Sequence, residues 1–315
     1  MRVVVALGGN ALLERDERPD AVIQRRHVRQ AAAALAPLAG DHQLVLCHGN
    51  GPQVGMLALE SQEDASLSRP YPLDELVAQT QGMIGYWMVQ ELRNAGVAQR
   101  AVCVISQTVV DLSDPAFGSP AKFIGASYDK AEAQALAERL GWVIAADGPR
   151  WRRVVASPRP LGLVEIETVR SLAGAGVLVV CGGGGGVPVI RSDDGGLTGV
   201  EAVVDKDLIA AELAITLNAD RLLVLTDVPA IIRGYGTPDA RPIRAIDTLA
   251  LSAMTFPAGS MGPKVEACIR FVSTTGRPAA IGALTDAAGI LAGRAGTTIS
   301  AAQPPAASPA HRGHS

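Results

Sequence analysis

The sequence predicts an α/β protein: a mostly parallel sheet covered by helices on both faces. Three observations carry this expectation. Short apolar runs (RVVVAL at 2–7, QLVLC at 43–47, VLVVC at 177–181, LLVLT at 222–226) recur along the chain without polar alternation, as strands buried on both faces do. Longer segments of helical periodicity separate them, the pattern of strand–helix–strand units. Apolar residues make up 48% of the chain and aromatic residues only 3%, so the core is expected to be packed from Ala, Val and Leu.

Taken in order, strand 2–7 ends at Gly8-Gly9-Asn10, and AVIQRRHVRQAAAALAPLA at 21–39 forms a helix. Strand 43–47 runs into HGNGPQVGMLALE, which turns into a second helix. A long helical pattern spans 73–95, followed by a strand at 101–106 (AVCVIS). Residues 110–165 break the rhythm, being rich in Pro, Gly, Asp and Arg, with one short helix at 129–140 and short strands. They are expected to form a small protruding subdomain inserted in a domain spanning 1–300. The alternation resumes with strand 177–181, the run GGGGG and the strand-like VPVI. Helix 206–217, strand 222–226, helix 264–275, strand 278–282 and a last strand near 296–299 follow. The Pro/Ala/Ser-rich tail 301–315 is expected to be disordered.

Composition excludes several roles. A net charge of −3 and a pI near 6 offer no bulk attraction to nucleic acid. The four cysteines, Cys47, Cys103, Cys181 and Cys268, are scattered, without a CxxC pair or clustered histidines. They fit buried small residues in a reducing compartment rather than disulfides or a zinc site. MRVVVAL is too short for a secretory signal, and the uncharged stretch 172–190 holds seven glycines and a proline, which break a spanning helix. A soluble cytoplasmic protein without membrane partners is expected.

Three strands run straight into glycine clusters: GGN, HGNG and GGGGG. In parallel sheets ligands sit beyond the carboxyl ends of the strands, where glycine lets backbone amides approach closely and helix N-termini favour anions. Three such loops in one sheet suit a single phosphate-rich cleft better than turn economy. GxxxxGK[ST] is absent, the first strand lacks GxGxxG, and no protein-kinase signature appears.

Lysine is scarce: 4 of the 28 basic residues, Lys122, Lys130, Lys206 and Lys264. A preference for Arg codons explains such scarcity without function. A surviving lysine also suits a site needing a compact, mobile ammonium. Lys206 lies in DKD at a helix start, where an aspartate cap beside a solvated lysine is the simpler reading of the triplet. Lys264 also opens a helix, where the dipole disfavours a cation, so an anion nearby is expected. Lys122 falls in the inserted segment; Lys130 fits the surface. Phosphoryl transfer from ATP, which carries about four negative charges, depends on positioning and charge neutralisation, and an oxyanion acceptor needs no general base. His48 fits a structural hydrogen-bonding role better than catalysis.

These residues resemble those of the carbamate kinases, in the amino-acid kinase superfamily. The resemblance spans about 2–299 and rests on VVALGGNAL, CHGNGPQVG, PLDELVAQTQGMIGYW, QTVVD, WRRVVASPRP, CGGGGGVPV, GVEAVVDKDLIA, LTDV and FPAGSMGPKVEA. It implies a three-layer αβα sandwich with an open, mainly parallel eight-stranded sheet, in a homodimer, with a small subdomain over the acceptor site. It implies the reaction ATP + carbamate ⇌ ADP + carbamoyl phosphate with Mg²⁺, often run toward ATP after arginine deimination. By resemblance, Gly8, Gly9, Asn10, Gly49, Asn50 and Gly51 hold the acceptor and transferring phosphoryl group, and Gly182, Gly183, Gly184 and Gly185 contact acceptor or phosphate. Lys206 and Lys264 match lysines on the ATP phosphates, Asp207 the aspartate that orders them, and Lys122 the subdomain lysine reaching the acceptor. Asp227, Tyr235, Ser260 and Met261 fall in the nucleotide half. No protein-ligated metal is implied.

The chain departs from the family pattern at Phe123, where Pro is usual, at Ala156 in VVASP, at DGPR (147–150), and at Gly182, which replaces a frequent Ala. The first three lie in or near the inserted segment and bear on the placement of Lys122. Two other readings stand beside the first: a related phosphotransferase acting on another carboxylate or small oxyanion, and a small-anion-binding module without turnover.

Overall fold

The structure, a computed structural model, describes residues 1–9, 12–14, 17–256 and 261–302. Its centre is an eight-stranded sheet in the order Ala245–Asp247, Thr297–Ser300, Ala279–Ala283, Arg221–Thr226, Arg2–Leu7, Gln43–His48, Leu178–Val180, Ala101–Cys103. Every neighbouring pair is parallel except Ala279–Ala283 with Thr297–Ser300. The predicted fold class, a mainly parallel sheet between helical layers, is the one observed.

Alternate residues of one strand feed two cores. Val4 and Ala6 join the cluster beneath the helices Lys206–Thr216 and Met261–Thr275; Val3, Val5 and Leu7 join the cluster beneath Ala21–Ala39 and Leu73–Asn94. This two-sided burial is why the strands read as continuous apolar runs. Helix Ala21–Ala39 presents Val28, Ala31, Ala32, Leu35, Leu38 and Ala39 inward at helical spacing. Helix Lys206–Thr216 is apolar on nearly every side because it is buried between sheet and neighbouring helix. Its N-terminus is capped by Asp205, whose side chain accepts from the Asp207 amide at 2.8 Å.

Observed boundaries follow the predicted ones closely, with one instructive exception. The strand expected over 101–106 stops at Cys103; the chain then turns, and Gln107–Val109 enters a separate four-stranded sheet with Val187–Arg191, Leu197–Gly199 and Gly162–Leu163. Ser106, fully buried, is the pivot: its amide is held by the Gln81 side chain of the Leu73–Asn94 helix, and its carbonyl accepts from that side chain and from the Val187 amide. VPVI is a strand, as read from the sequence.

Within 110–165, Lys122–Tyr128, Arg150–Val155 and Val143–Asp147 form a three-stranded antiparallel sheet, with helix Lys130–Leu140 packed beside it. That helix is capped by Asp129 at its start and ends at Gly141 in the left-handed region. Ile124 and Val155 pack with Val54, Ala58, Leu73, Leu76, Val77 and Val203. The backbone approach is closest at Gly55, where an added Cβ would collide with the Gly125 backbone. The departure at 147–150 closes a hairpin whose two-residue turn starts with Gly148 at φ +63°. The carbonyl of Ala156 accepts from the Val203 amide at 2.9 Å. The tail expectation covers residues that lie, from 303 onward, outside the described ones.

Candidate active site

Because Arg2–Leu7, Gln43–His48, Leu178–Val180 and Arg221–Thr226 are parallel, their carboxyl ends share one edge. The loops leaving them interlock. The Gly8 amide donates to the Leu225 carbonyl at 2.9 Å and the Gly49 amide to the Leu7 carbonyl at 3.1 Å. A Cβ on Gly49 would lie 3.1 Å from the Gly9 nitrogen and 3.3 Å from Lys206 Cε, a tight fit that glycine relieves where these two loops and the lysine meet. In the third loop Gly182, Gly184, Gly185 and Gly186 all have φ between +62° and +89°. Glycine alone adopts such a run without strain. A Cβ on Gly184 would also strike the Asn50 side chain.

Helix Gly51–Glu63 begins at this edge with no side-chain cap. Asn50, at the cap position, turns its Nδ2 away to Thr80 Oγ1, 2.9 Å distant. The first amides and the positive end of the dipole are thereby left to a ligand.

The lysines meet here. Lys206 Nζ lies 2.5 Å from Asp207 Oδ1, and Lys264 Nζ lies 3.2 Å from Oδ2 of the same carboxylate. Two helix starts are therefore bridged through one aspartate, and the anion expected beside Lys264 is Asp207. Lys122 comes from the three-stranded unit and pairs with Asp205, the aspartate on the other side of Lys206. Among these described side chains three ammonium groups stand with two carboxylates. Capping and ion-pairing coexist in DKD: Asp205 caps the helix, yet Lys206 is buried rather than solvated.

Electrostatics follow from burial and pairing. Burial opposes ionisation of Asp207, but Lys206 and Lys264 outweigh it and hold the carboxyl below its usual range. Asp205 is held far lower, with Lys122 and then Lys206 overcoming burial. Burial also opposes the charge of Lys206, and Asp207 and Asp205 more than compensate. Lys264 is depressed, first by burial and then by the neighbouring Lys206 charge, against the pull of Asp207. Of the two lysines on Asp207, Lys206 is shifted toward keeping its proton and Lys264 toward losing it.

His48 is buried with Nδ1 2.9 Å from the Gly49 carbonyl; burial pushes its pKa down to about 4, so the ring is neutral. It serves as a structural hydrogen bonder. The Cys47 thiol donates to the Gly182 carbonyl at 3.0 Å and is pushed up to about 12 by burial, which leaves it unreactive at neutral pH. All four cysteines are free. Asp227 leaves the end of Arg221–Thr226 and accepts from Thr226 Oγ1 at 2.9 Å. Tyr235 is 77% exposed in the turn between Ile232–Arg233 and Arg241–Pro242. Met261 opens its helix half-buried against the core. Asn10 and Ser260 lie outside the described residues. Lys130 is exposed, its Nζ 5.4 Å from the centre of the Trp151 ring.

Sequence reasoning weighed Asp205 only as a helix cap, and it passed over three polar residues in this region: Thr80, Gln81 and Ser106. Thr80 and Gln81 carry a signal in retrospect. On the buried stripe of their helix, Leu73, Leu76, Val77, Ile84 and Met88 are apolar, and these two are the uncharged polar residues among them. A polar group on a core stripe must find partners or cost stability.

The amino acid kinase family model matches residues 1–283. A carbamate kinase of Rhizobium meliloti (strain 1021) is 49% identical over 95% of this chain and 93% of its own. That of Escherichia coli (strain K12) is 47% identical over 95% of this chain and 99% of its own. Among solved structures, the Giardia lamblia carbamate kinase bound to citric acid superposes with a TM-score of 0.90 at 39% identity, covering 96% of this chain and 98% of that one. The same enzyme bound to AMP-PNP gives 0.85 at 41% identity, with the same coverage. The chain therefore belongs to the amino acid kinase family, and within it to the carbamate kinases.

Proposed function

We infer that this protein is an ATP:carbamate phosphotransferase, catalysing ATP + carbamate ⇌ ADP + carbamoyl phosphate. The observation that carries the reading is the Lys206–Asp207–Lys264 bridge at the mouth of three glycine-lined loops. Two cations ordered by one carboxylate form a pair set to flank one phosphoryl group. In the ATP-forming direction a β-phosphate oxygen of ADP attacks the phosphorus of carbamoyl phosphate. The bond from phosphorus to the carbamate oxygen breaks, and carbamate leaves as an anion. No proton need be removed from the nucleophile, in keeping with a neutral, buried His48.

In this reading Gly8, Gly9, Asn10 and the 49–51 loop surround the transferring group, and Gly182–Gly185 present backbone to the acceptor. Lys206 and Lys264 neutralise the charge as it moves from one oxygen to the other. Lys122 brings a third ammonium from above, where its ion pair with Asp205 ties the 110–165 unit to the main fold. Asp227, Tyr235, Ser260 and Met261 are proposed for the nucleotide half; the support is the resemblance and the AMP-PNP complex of the Giardia relative. Among the described residues no group of three or more His, Cys, Asp or Glu converges as a metal cage, and Asp205 and Asp207 are already paired with lysines. These residues do not fit a protein-held Mg²⁺. We propose that Mg²⁺ enters on the nucleotide phosphates, whose charge it neutralises.

We further propose a cytoplasmic homodimer used to form ATP in arginine catabolism. Four free cysteines suit a reducing compartment. No helix among the described residues is long and apolar enough to cross a membrane. The test is ATP formation from ADP, Mg²⁺ and carbamoyl phosphate, with acetyl phosphate and other acyl phosphates in parallel. ATP from carbamoyl phosphate alone supports the reading. Preference for another acyl phosphate, or nucleotide binding without turnover, overturns it.

A further inference from the structure

The 182–186 loop, with its unusual backbone angles, carries two bonds of its own, Gly185 amide to Gly182 carbonyl and Gly186 amide to Gly183 carbonyl, and is held from outside as well. Both ends of this loop are pinned by one residue. The Gly182 amide donates to Ser106 Oγ at 2.7 Å, and the Val187 amide donates to the Ser106 carbonyl at 2.8 Å. Ser106 is in turn held by Gln81. The Gln81 carboxamide receives the Ser106 amide at 3.0 Å and donates to the Ser106 carbonyl at 3.0 Å, as a neighbouring strand would. The Ser106 hydroxyl donates to Gln81 Oε1 at 3.1 Å, which fixes its direction: its lone pairs face Gly182. One residue earlier on the same helix, Thr80 accepts from Asn50 Nδ2 at 2.9 Å and donates to the Val77 carbonyl at 2.8 Å. Asn50 belongs to the second loop and its side chain lies against Gly184 of the third. Asn50, Thr80, Gln81 and Ser106 are each at most 2% exposed.

We propose that Thr80 and Gln81 are positioning residues for phosphoryl transfer: adjacent side chains on one helix that lock the 49–51 and 182–186 loops in register. The inference rests on the phosphotransferase reading above. Neither residue is placed to touch the reacting atoms; each acts through another, Thr80 through Asn50 and Gln81 through Ser106. The network matters because backbone amides stabilise moving charge only if they are aimed beforehand. Donors and acceptors are matched along each of its two branches, Asn50 to Thr80 to Val77 and Gly182 to Ser106 to Gln81, so removing one member loosens the loop that branch holds. The pair belongs to the acceptor side, so its loss is expected to spare the nucleotide.

The test uses Thr80→Val, Gln81→Met and Ser106→Ala in the full-length chain, with Thr80→Ser as the variant that keeps the hydroxyl. Steady-state ATP formation is measured at varied carbamoyl phosphate and varied ADP, together with calorimetric ADP affinity and amide hydrogen exchange over 182–187. Expected are a fall of roughly 10- to 100-fold in kcat/KM for carbamoyl phosphate and ADP affinity close to wild type. Exchange at 182–187 should quicken in Ser106→Ala and Gln81→Met, and Thr80→Ser should recover most of the activity lost in Thr80→Val. Wild-type constants in the variants, equal losses for both substrates, or unchanged exchange would overturn the proposal. A wild-type protein that makes no ATP condemns the functional reading instead, and the exchange measurement then still decides whether the loop is pinned. If Ser106→Ala does not fold, the near-isosteric Thr80→Val and its Thr80→Ser partner decide through the kinetic split.

Discussion

Replacing Asp207 with asparagine perturbs the centre of the site while keeping its shape. The variant keeps one acceptor oxygen but removes the charge that brackets Lys206 at 2.5 Å and Lys264 at 3.2 Å. Lys206 is only 6% exposed, so water cannot replace the lost partner. Breaking a buried ion pair costs roughly 3–5 kcal/mol. Asp205 remains beside Lys206 and favours the lower end, about 3 kcal/mol. At about 2 °C per kcal/mol for a chain of this size, the melting temperature should fall by roughly 6 °C. Activity should fall by about a hundredfold, the scale of losing one organised charge stabiliser. The pH dependence carries a second signature. Lys264 is already depressed by burial and by Lys206, and a neutral residue at 207 removes the pull of Asp207 that offsets them, leaving that of Asp205. A lysine is charged below its pKa, so a lower pKa moves the alkaline loss of activity to lower pH. Thermal melts and ATP-formation rates across neutral to alkaline pH read all three effects. A variant with wild-type melting temperature and an unmoved alkaline limb would refute the bridging role of Asp207.

Lys206→Ala and Lys264→Ala should each slow ATP formation by at least about a hundredfold in steady-state assays, and Lys264→Arg should remain severely impaired because a planar guanidinium cannot follow the phosphoryl group as an ammonium can; full activity in Lys264→Arg would show that compactness is irrelevant. His48, ordinarily near 6.5 and held at about 4 by burial, should make the fold lose stability as pH falls from 6.5 toward 4, since the unfolded chain binds the proton that the folded chain excludes. The loss totals about 3 kcal/mol, and denaturant midpoints at pH 7.5 and 4.5 should converge in His48→Gln; equal pH dependence in both proteins would remove His48 as the cause. Gly55→Ala puts a Cβ into the Gly125 backbone, so the 122–155 unit must shift, and proteolysis within 122–155 should quicken while kcat falls by about tenfold or more; wild-type resistance and rate would show that this close approach is slack.

Much of the architecture was legible because burial on two faces writes an unmistakable pattern. Val3, Val4 and Val5 alternate between two cores, and the result is an unbroken apolar run bounded by glycine. Helix Ala21–Ala39 was readable to the residue from its apolar spacing. The turn at Ser106 was not. AVCVIS has the composition of a strand throughout, and what ends it is a hydrogen-bonding grip from Gln81, 25 positions away in sequence. In the site, lysine scarcity and strand-end glycines pointed to segments that the fold gathers at one edge of the sheet. They left unresolved how the charges divide among partners: that Lys206 and Lys264 share Asp207 while Lys122 takes Asp205 is a matter of three-dimensional approach from three separate segments. Thr80 and Gln81 were readable in principle as polar residues on a core stripe, yet their targets lie on loops that only the fold brings together.

The central claim is that Lys206 and Lys264 act on one phosphoryl group together with the glycine-lined amides. A crystal structure with ADP, Mg²⁺ and aluminium fluoride, a mimic of the transferring group, tests it most directly. Both Nζ atoms are expected within roughly 2.7–3.2 Å of fluoride or phosphate oxygen around the same metal-fluoride centre, with backbone amides of the 8–9 or 49–51 loops on its other side. A complex in which either lysine faces away, or in which the fluoride group sits beyond reach of both loops, would contradict it.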